Sequence, residues 1–222
     1  DDDVAVVMLT HAHYKTGHIA DMAAITAAAH RAGALTLWDL AHSAGALPVA
    51  LDAAQADFAV GCGYKFLNGG PGAPAYIYAA ERHHGATPVL SGWFGHAAPF
   101  DFADDYRPAQ GIERFLCGTP PVLGMAALEV GVDLMLEADM AELREKSLAL
   151  GWLLERAMAP LCEEYGFAPV HPADPEPRGS QLSYRHPEAY ALTQALIARL
   201  ELSSRSRSVR SAWAPGPCPD TA

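Results

Sequence analysis

The stretch VAVVML, Val4 to Leu9, is an unbroken apolar run, the pattern of a strand covered on both faces. In HIADMAAITAAAHRAG, Ile19, Met22, Ala23 and Ile25 to Ala29 recur at helical spacing, which predicts a helix that stops at Gly33. LTLWD then reads as a strand, LDAAQA as a short helical stretch, and DFAVGCG and PAYIYA as two more strands. Strands that alternate with helices predict an α/β fold, a mostly parallel sheet with helices on both faces.

Beyond Tyr78 the pattern loosens into SGWFGHAAPFDFADDYRPAQGIERFLCGTPP, too long for an ordinary connection. Helical character runs from about Val122 to Tyr165. Within it Leu143, Leu150, Leu153, Leu154, Ala157 and Leu161 form an apolar stripe between charges, and one long helix is expected after Ala138. PVHP and SQLSYRH read as strands and PEAYALTQALIAR as a helix with Pro187 in its first turn, together an α+β unit. The organisation expected is a partial large domain over residues 1–138 and a linking long helix with part of a smaller domain over 139–201. A Ser/Arg/Pro tail over 202–222 is without periodicity and expected to be disordered.

Half of the 222 residues are hydrophobic and 18% are charged, which is the balance of a chain with a buried core. A net charge of −11 argues against nucleic acid as a partner, because phosphate binding needs a basic face. No apolar run approaches the roughly 18 residues of a membrane-spanning helix. The start, Asp1-Asp2-Asp3, is the opposite of a basic leader, so a soluble, cytoplasmic protein is expected. Cys62, Cys117, Cys162 and Cys218 share no metal-ligand spacing and read as thiols in a reducing compartment. THAHYKTGH contains an H-x-H among His11, His13 and His18, but no matching ligands follow at zinc-site spacing, so no metal is expected. His83 and His84 read as covering a helix end, and Trp93 and Tyr106 as interface, pocket or core aromatics.

Candidate chemistry changes the picture at two places. Asp39 ends the strand LTLWD, and in a doubly wound sheet ligands gather outside the carboxyl ends of the strands. A carboxylate there can also simply cap the turn that follows. In GCGYKFLNGGPGAPAYIY, Lys65 follows the strand DFAVGCG and would reach the same sheet edge, where a snorkelling surface lysine is the plain alternative. Together they match the needs of pyridoxal phosphate. A lysine carries that cofactor as a Schiff base and moves protons, an aspartate keeps its pyridine nitrogen protonated, and glycines let backbone approach closely.

LWDLAHSAGALPVALDAAQADFAVGCGYKFLNGGPGAPAYIY, with SGWFGH and GTPP, resembles the core of kynureninase, a fold-type-I pyridoxal-phosphate family of the aspartate aminotransferase superfamily. The likeness runs from about Val4 to Arg199. It implies a cytoplasmic homodimer that hydrolyses L-kynurenine or 3-hydroxykynurenine to anthranilate or 3-hydroxyanthranilate and L-alanine, in tryptophan catabolism. By the same resemblance Lys65 carries the cofactor, Asp39 partners its ring nitrogen, and Thr10 and His42 are further contacts. Tyr64 would bind the phosphate and relay protons, and Phe94 and Thr119 would contact cofactor across the dimer.

The chain departs from the family at Phe94, where Trp is usual, so an indole N–H donor is lost. The segments that in this family cradle the phosphate, stack on the ring and grip the substrate carboxylate are expected to be missing from it. Relatives that desulfurise cysteine carry His where this chain has Tyr64. A related lyase or desulfurase and a non-catalytic remnant stay open as alternatives.

Overall fold

The computed structural model describes residues 3–200, with the side chain of the last of these left aside; the tail expected over 202–222 lies outside the described residues. The chain divides into two compact units. The first takes in residues up to His11, Asp21–Gly45 and Val49–Ala138; the second takes in Ala12–Ala20, Ala46–Pro48 and the residues from Asp139 onward.

The first unit is built on a four-stranded sheet of β1 (Val6–Thr10), β2 (Leu35–Asp39), β3 (Phe58–Cys62) and β4 (Ala75–Ala79), in that spatial order. β1 pairs parallel with β2 and β2 with β3, while β4 returns antiparallel. The crossover between β1 and β2 is α1 (Met22–Arg31), whose Asp21 cap accepts from Ala24 N at 2.9 Å and satisfies one orphan N–H of the first turn. α1 buries Met22, Thr26 and Ala29, and Thr26 Oγ1 accepts the indole N–H of the buried Trp38 at 3.1 Å. A tryptophan inside a core needs such a partner for its one polar atom.

At the sheet edge opposite the strand carboxyl ends, one carboxylate gathers the chain. Asp57, whose side chain is only 2% exposed, accepts from His30 Nε2, His83 Nε2 and Arg82 NH2, each at 2.7 Å, and from Thr36 N at 2.8 Å. Burial alone would push its carboxyl up. The hydrogen bonds from His30, His83, Arg82 and Thr36 outweigh that and hold it well below the usual carboxylate range. His83 and His84 stand at the end of the short 3-10 helix Glu81–His83, as expected; His83 also bonds Asp57, and His84 bonds the carbonyl of Ala79.

Two sequence-based expectations need correction. The apolar run of β1 is not covered on both faces: β1 is a sheet edge, and Met8 is 60% exposed. LDAAQA forms a turn and not a helix, because Gln55 adopts a left-handed conformation (φ 55°) that closes the chain after one turn. The loose segment after Tyr78 is shaped by short 3-10 turns at Glu81–His83, Trp93–Gly95, Pro99–Asp101 and Gly111–Phe115. α2 (Val122–Leu136) completes the unit and leaves Val122, Leu123, Val130 and Leu136 exposed.

The second unit holds α3 (Met140–Tyr165), the short antiparallel pair β5 (Ala168–Pro169) and β6 (Tyr184–Arg185), and α4 (Ala189–Leu200). Asp139 caps α3 by accepting from Ala141 N and Glu142 N, and Gly166 ends it. The leucine stripe read from the sequence lies on α3 as expected in register, yet no residue of the helix is buried. Arg178 is buried against Glu155 at 2.6 Å, and His171 reaches the same carboxylate at 3.1 Å.

Candidate active site

The carboxyl ends of the parallel strands bring the first group together. Thr10 and Asp39 are the last residues of β1 and β2 and are register partners, and Asp39 pairs in turn with Val60 of β3. His11 N donates to the Asp39 carbonyl at 2.9 Å, which fixes the chain directly after Thr10. Asp39 Oδ1 accepts from Ala41 N at 2.8 Å, so this carboxylate does shape the turn that follows it. That turn delivers His42 to the same edge.

The loop after β3 meets it. Lys65 Nζ lies 3.5 Å from His42 Nδ1 and 5.6 Å from the centre of the Tyr64 ring. Gly45 explains the approach: it has a φ of +82°, and a Cβ there would fall 2.6 Å from the carbonyl oxygen of Phe66. The loop carrying His42 can therefore press on the loop carrying Lys65 only without a side chain at this position. Asn68 N donates to the Lys65 carbonyl at 3.1 Å, and Gly69 N to the Gly63 carbonyl at 2.9 Å, closing a tight turn around the lysine. Lys65 is half-buried, less covered than a buried anchor would be, and Tyr64 is exposed.

Tyr76 borders this region from β4. Burial first, then the neighbouring Cys62 and Asp39, push its phenol up to about 12, which keeps it neutral beside the Asp39 carboxylate. Cys62 Sγ faces the Ala41 carbonyl at 4.0 Å.

Phe94 and Thr119 lie in the segment that follows β4. They ride on two segments packed on each other, where Gly92 lies against Cys117. Phe94 meets Trp93 edge-on at 5.0 Å. Among the described residues neither side chain bonds or stacks with Asp39, His42 or Lys65. Sequence reading missed His11 and Gly45. His11 is buried, meets Trp38 edge-on, and has an Nδ1 without a hydrogen-bond partner; burial holds its imidazole below the ordinary range. The H-x-H pattern drew attention to metal binding and away from this role. Gly45 carried the signal of a glycine in a turn, which does not say what it approaches.

An amine, an imidazole, a carboxylate, a phenol and a hydroxyl thus meet at the carboxyl ends of parallel strands. This donor set fits a cofactor that offers an aldehyde, a ring nitrogen and an anionic group.

Comparison with known proteins agrees. Kynureninase from Deinococcus radiodurans is 56% identical over 197 residues, which cover 88% of this chain and 48% of that protein. Kynureninase from Pseudomonas fluorescens is 50% identical over 200 residues, covering 90% and 48%. The chain therefore spans about half the length of these relatives. Among solved structures, a cysteine desulfurase from Escherichia coli matches with a TM-score of 0.69 at 22% identity, over 88% of this chain and 48% of that one. A cysteine desulfurase from Thermococcus onnurineus matches at 0.68 and 21%, over 87% and 47%. The likeness to these structures is one of fold. The profile of the family Aminotransferase class-V matches residues 1–198, and the chain belongs to that family.

Proposed function

We propose that this chain forms the catalytic core of a pyridoxal-phosphate-dependent hydrolase that cleaves L-kynurenine, or its 3-hydroxy form, to anthranilate or 3-hydroxyanthranilate and L-alanine. The carrying observation is the approach of Lys65 Nζ to His42 Nδ1, three residues after the strand-end carboxylate Asp39. Relatives at 50 and 56% identity that are called kynureninase support the choice of substrate over a desulfurase.

Lys65 would hold the cofactor through its amine, Asp39 would face the ring nitrogen, and Thr10, His42 and Tyr64 would line its edges. Phe94 and Thr119 would serve the neighbouring site in a cytoplasmic homodimer. When bound, the cofactor supplies an electron sink for breaking bonds at the amino-acid Cα and Cβ. Lys65 Nζ takes the proton from the substrate Cα and returns one later in the cycle. The Tyr64 phenol would be the acid–base partner of that amine, a role supported by a ring centre 5.6 Å from Lys65 Nζ. Asp39 contributes fixed negative charge, in place before any reaction begins.

The test is a visible-absorbance titration of the chain with pyridoxal phosphate, followed by assay of anthranilate fluorescence from L-kynurenine. Lys65→Ala is expected to abolish the visible band of bonded cofactor. An unchanged band in that variant would sink the assignment, and alanine formed from cysteine instead of kynurenine would return the desulfurase reading.

A further inference from the structure

α2 lies against the loop that carries Lys65, and it does so along one face. Of its 15 residues, only Gly124, Leu128, Gly131, Val132 and Met135 are not exposed. Gly124, Leu128, Gly131 and Met135 follow one another at steps of four, three and four, the spacing that lines residues up on one side of a helix. All four meet residues 63–74, the loop between β3 and β4, and helix and loop belong to the same unit.

The approach is close enough for a single methyl group to decide it. A Cβ at Gly131 would overlap the Leu67 carbonyl oxygen and would stand 2.9 Å from the Asn68 carbonyl carbon and 3.1 Å from Gly69 N. These are backbone atoms, which cannot swing aside as the end of a side chain can. One turn and a half earlier, a Cβ at Gly124 would stand 2.5 Å from the Gly72 carbonyl oxygen. Between the two glycines Leu128 reaches into the loop, where its methyl groups cover Gly63 and Gly69. Asn68, in a left-handed conformation (φ 60°), donates its Nδ2 to Met135 Sδ at 3.5 Å. Glycine is, after proline, the poorest residue for a helix interior, so the two on this face are explained by the approach they allow and not by the helix they sit in.

The backbone seated on α2 is the turn that presents the lysine. Asn68 N donates to the Lys65 carbonyl at 3.1 Å, and Gly69 N to the Gly63 carbonyl at 2.9 Å. Leu67, Asn68 and Gly69 therefore close the turn from one side while Lys65 stands on the other. A displacement at Asn68 acts on Lys65 directly, through that hydrogen bond.

We infer that Gly131 is a positioning residue for Lys65: with Gly124, Leu128 and Met135 it makes α2 the seat of the Lys65 turn and so sets where the amine stands. The inference rests on the cofactor reading given above. In the 222-residue chain, Gly131→Ala drives a methyl group into the turn, and amide hydrogen exchange at Asn68 and Gly69 is expected to quicken by about tenfold. Bound pyridoxal phosphate is measured by equilibrium dialysis and its attachment to Lys65 by the visible band. Per bound cofactor, the band is expected to form about tenfold more slowly in this variant, because the amine is misplaced. Leu128→Ala, which empties the seat instead of crowding it, is expected to act in the same direction. Val130→Ala, on the exposed side of α2, should leave both readouts at the parent value.

Asp57→Ala serves as a chain destabilised from elsewhere in the same sheet, and its band should form at the parent rate per bound cofactor. An equal slowing in Asp57→Ala, or quickened exchange in Gly131→Ala with the parent rate of band formation, would show a merely structural role and overturn the inference, as would unchanged exchange. Should Gly131→Ala fail to fold, Leu128→Ala decides by the same readouts. Lys65→Ala is run in parallel. If it behaves as the parent does, the cofactor reading itself has failed and this inference falls with it. If it loses the band while Gly131→Ala and Leu128→Ala form theirs at the parent rate, the cofactor reading stands and the positioning role is refuted.

Discussion

At Asp39 the structural place of a turn cap coincides with the proposed chemical one. Its Oδ1 caps the turn to Ala41, which is what an aspartate after a strand does for backbone reasons alone. The same turn sets His42 beside Lys65. Asp39→Asn keeps the shape and removes the charge, so the visible cofactor band should persist while L-kynurenine turnover falls by about two orders of magnitude. Near-normal turnover with a lowered melting temperature would leave Asp39 as a cap only, a role whose loss costs about 1 kcal/mol. Asp57 is the contrasting case, a carboxylate with five donors and no place in the site. Asp57→Ala strands those donors and should destabilise the chain by about 3 kcal/mol in urea unfolding, with cofactor half-saturation changed less than twofold. A large change in half-saturation would connect the two ends of the sheet, against this reading.

At the scale of elements, the site depends on two loops that touch. Both leave the carboxyl ends of adjacent parallel strands, and Gly45 lets them meet. Gly45→Val adds a branched side chain where φ is +82° and where the Phe66 carbonyl leaves no room, so it is expected to cost more than about 1 kcal/mol of stability. It should also weaken cofactor binding, because His42 and Lys65 can no longer approach; equal affinity in the variant would show that their contact does not matter. The helices teach a different lesson. Periodicity in α3 correctly names the residues that share a face, but periodicity does not supply the surface against which that face would pack. α2 is apolar nearly all round and β1 is apolar on both faces, and both expose large side chains among the described residues.

At the scale of the whole molecule, two buried groups set how stability follows pH. The His11 imidazole is held below its ordinary value of 6.5 by burial, so the folded chain takes up this proton less readily than the unfolded one. Its contribution is complete above that value and declines as pH falls below it. Asp57 is held below its ordinary 3.8, and the stability it lends is present above that value and disappears only in stronger acid. Urea midpoints measured between about pH 8 and 4 should therefore fall first below about 6.5, and His11→Phe should flatten that first decline. A midpoint that drops equally in this variant would assign the loss to another group. Assembly belongs to the same scale: exposed Trp93 and Thr119 beside Phe94 fit a surface shared between two copies. Sedimentation of the complete enzyme as a dimer at micromolar concentration is expected, and a monomer would count against the shared site.

By itself the sequence determined the alternation of strands and helices, the helix stop near Gly33 and the long helix after Ala138, and the types of side chain that could carry a cofactor. These are local matters, written in the period of apolar residues and in backbone chemistry over a few positions. Asp39 and Lys65 were legible because each stands at the end of a strand, and parallel strands put their ends on one edge. Only the tertiary structure decided that His42 lies against Lys65, that Gly45 permits it, that three separate segments converge on Asp57, and that Gln181 bonds the carbonyls of His13 and Tyr14. Each of these joins residues distant along the chain through contacts of a few ångströms, and such distances follow from how elements pack, which no local pattern encodes.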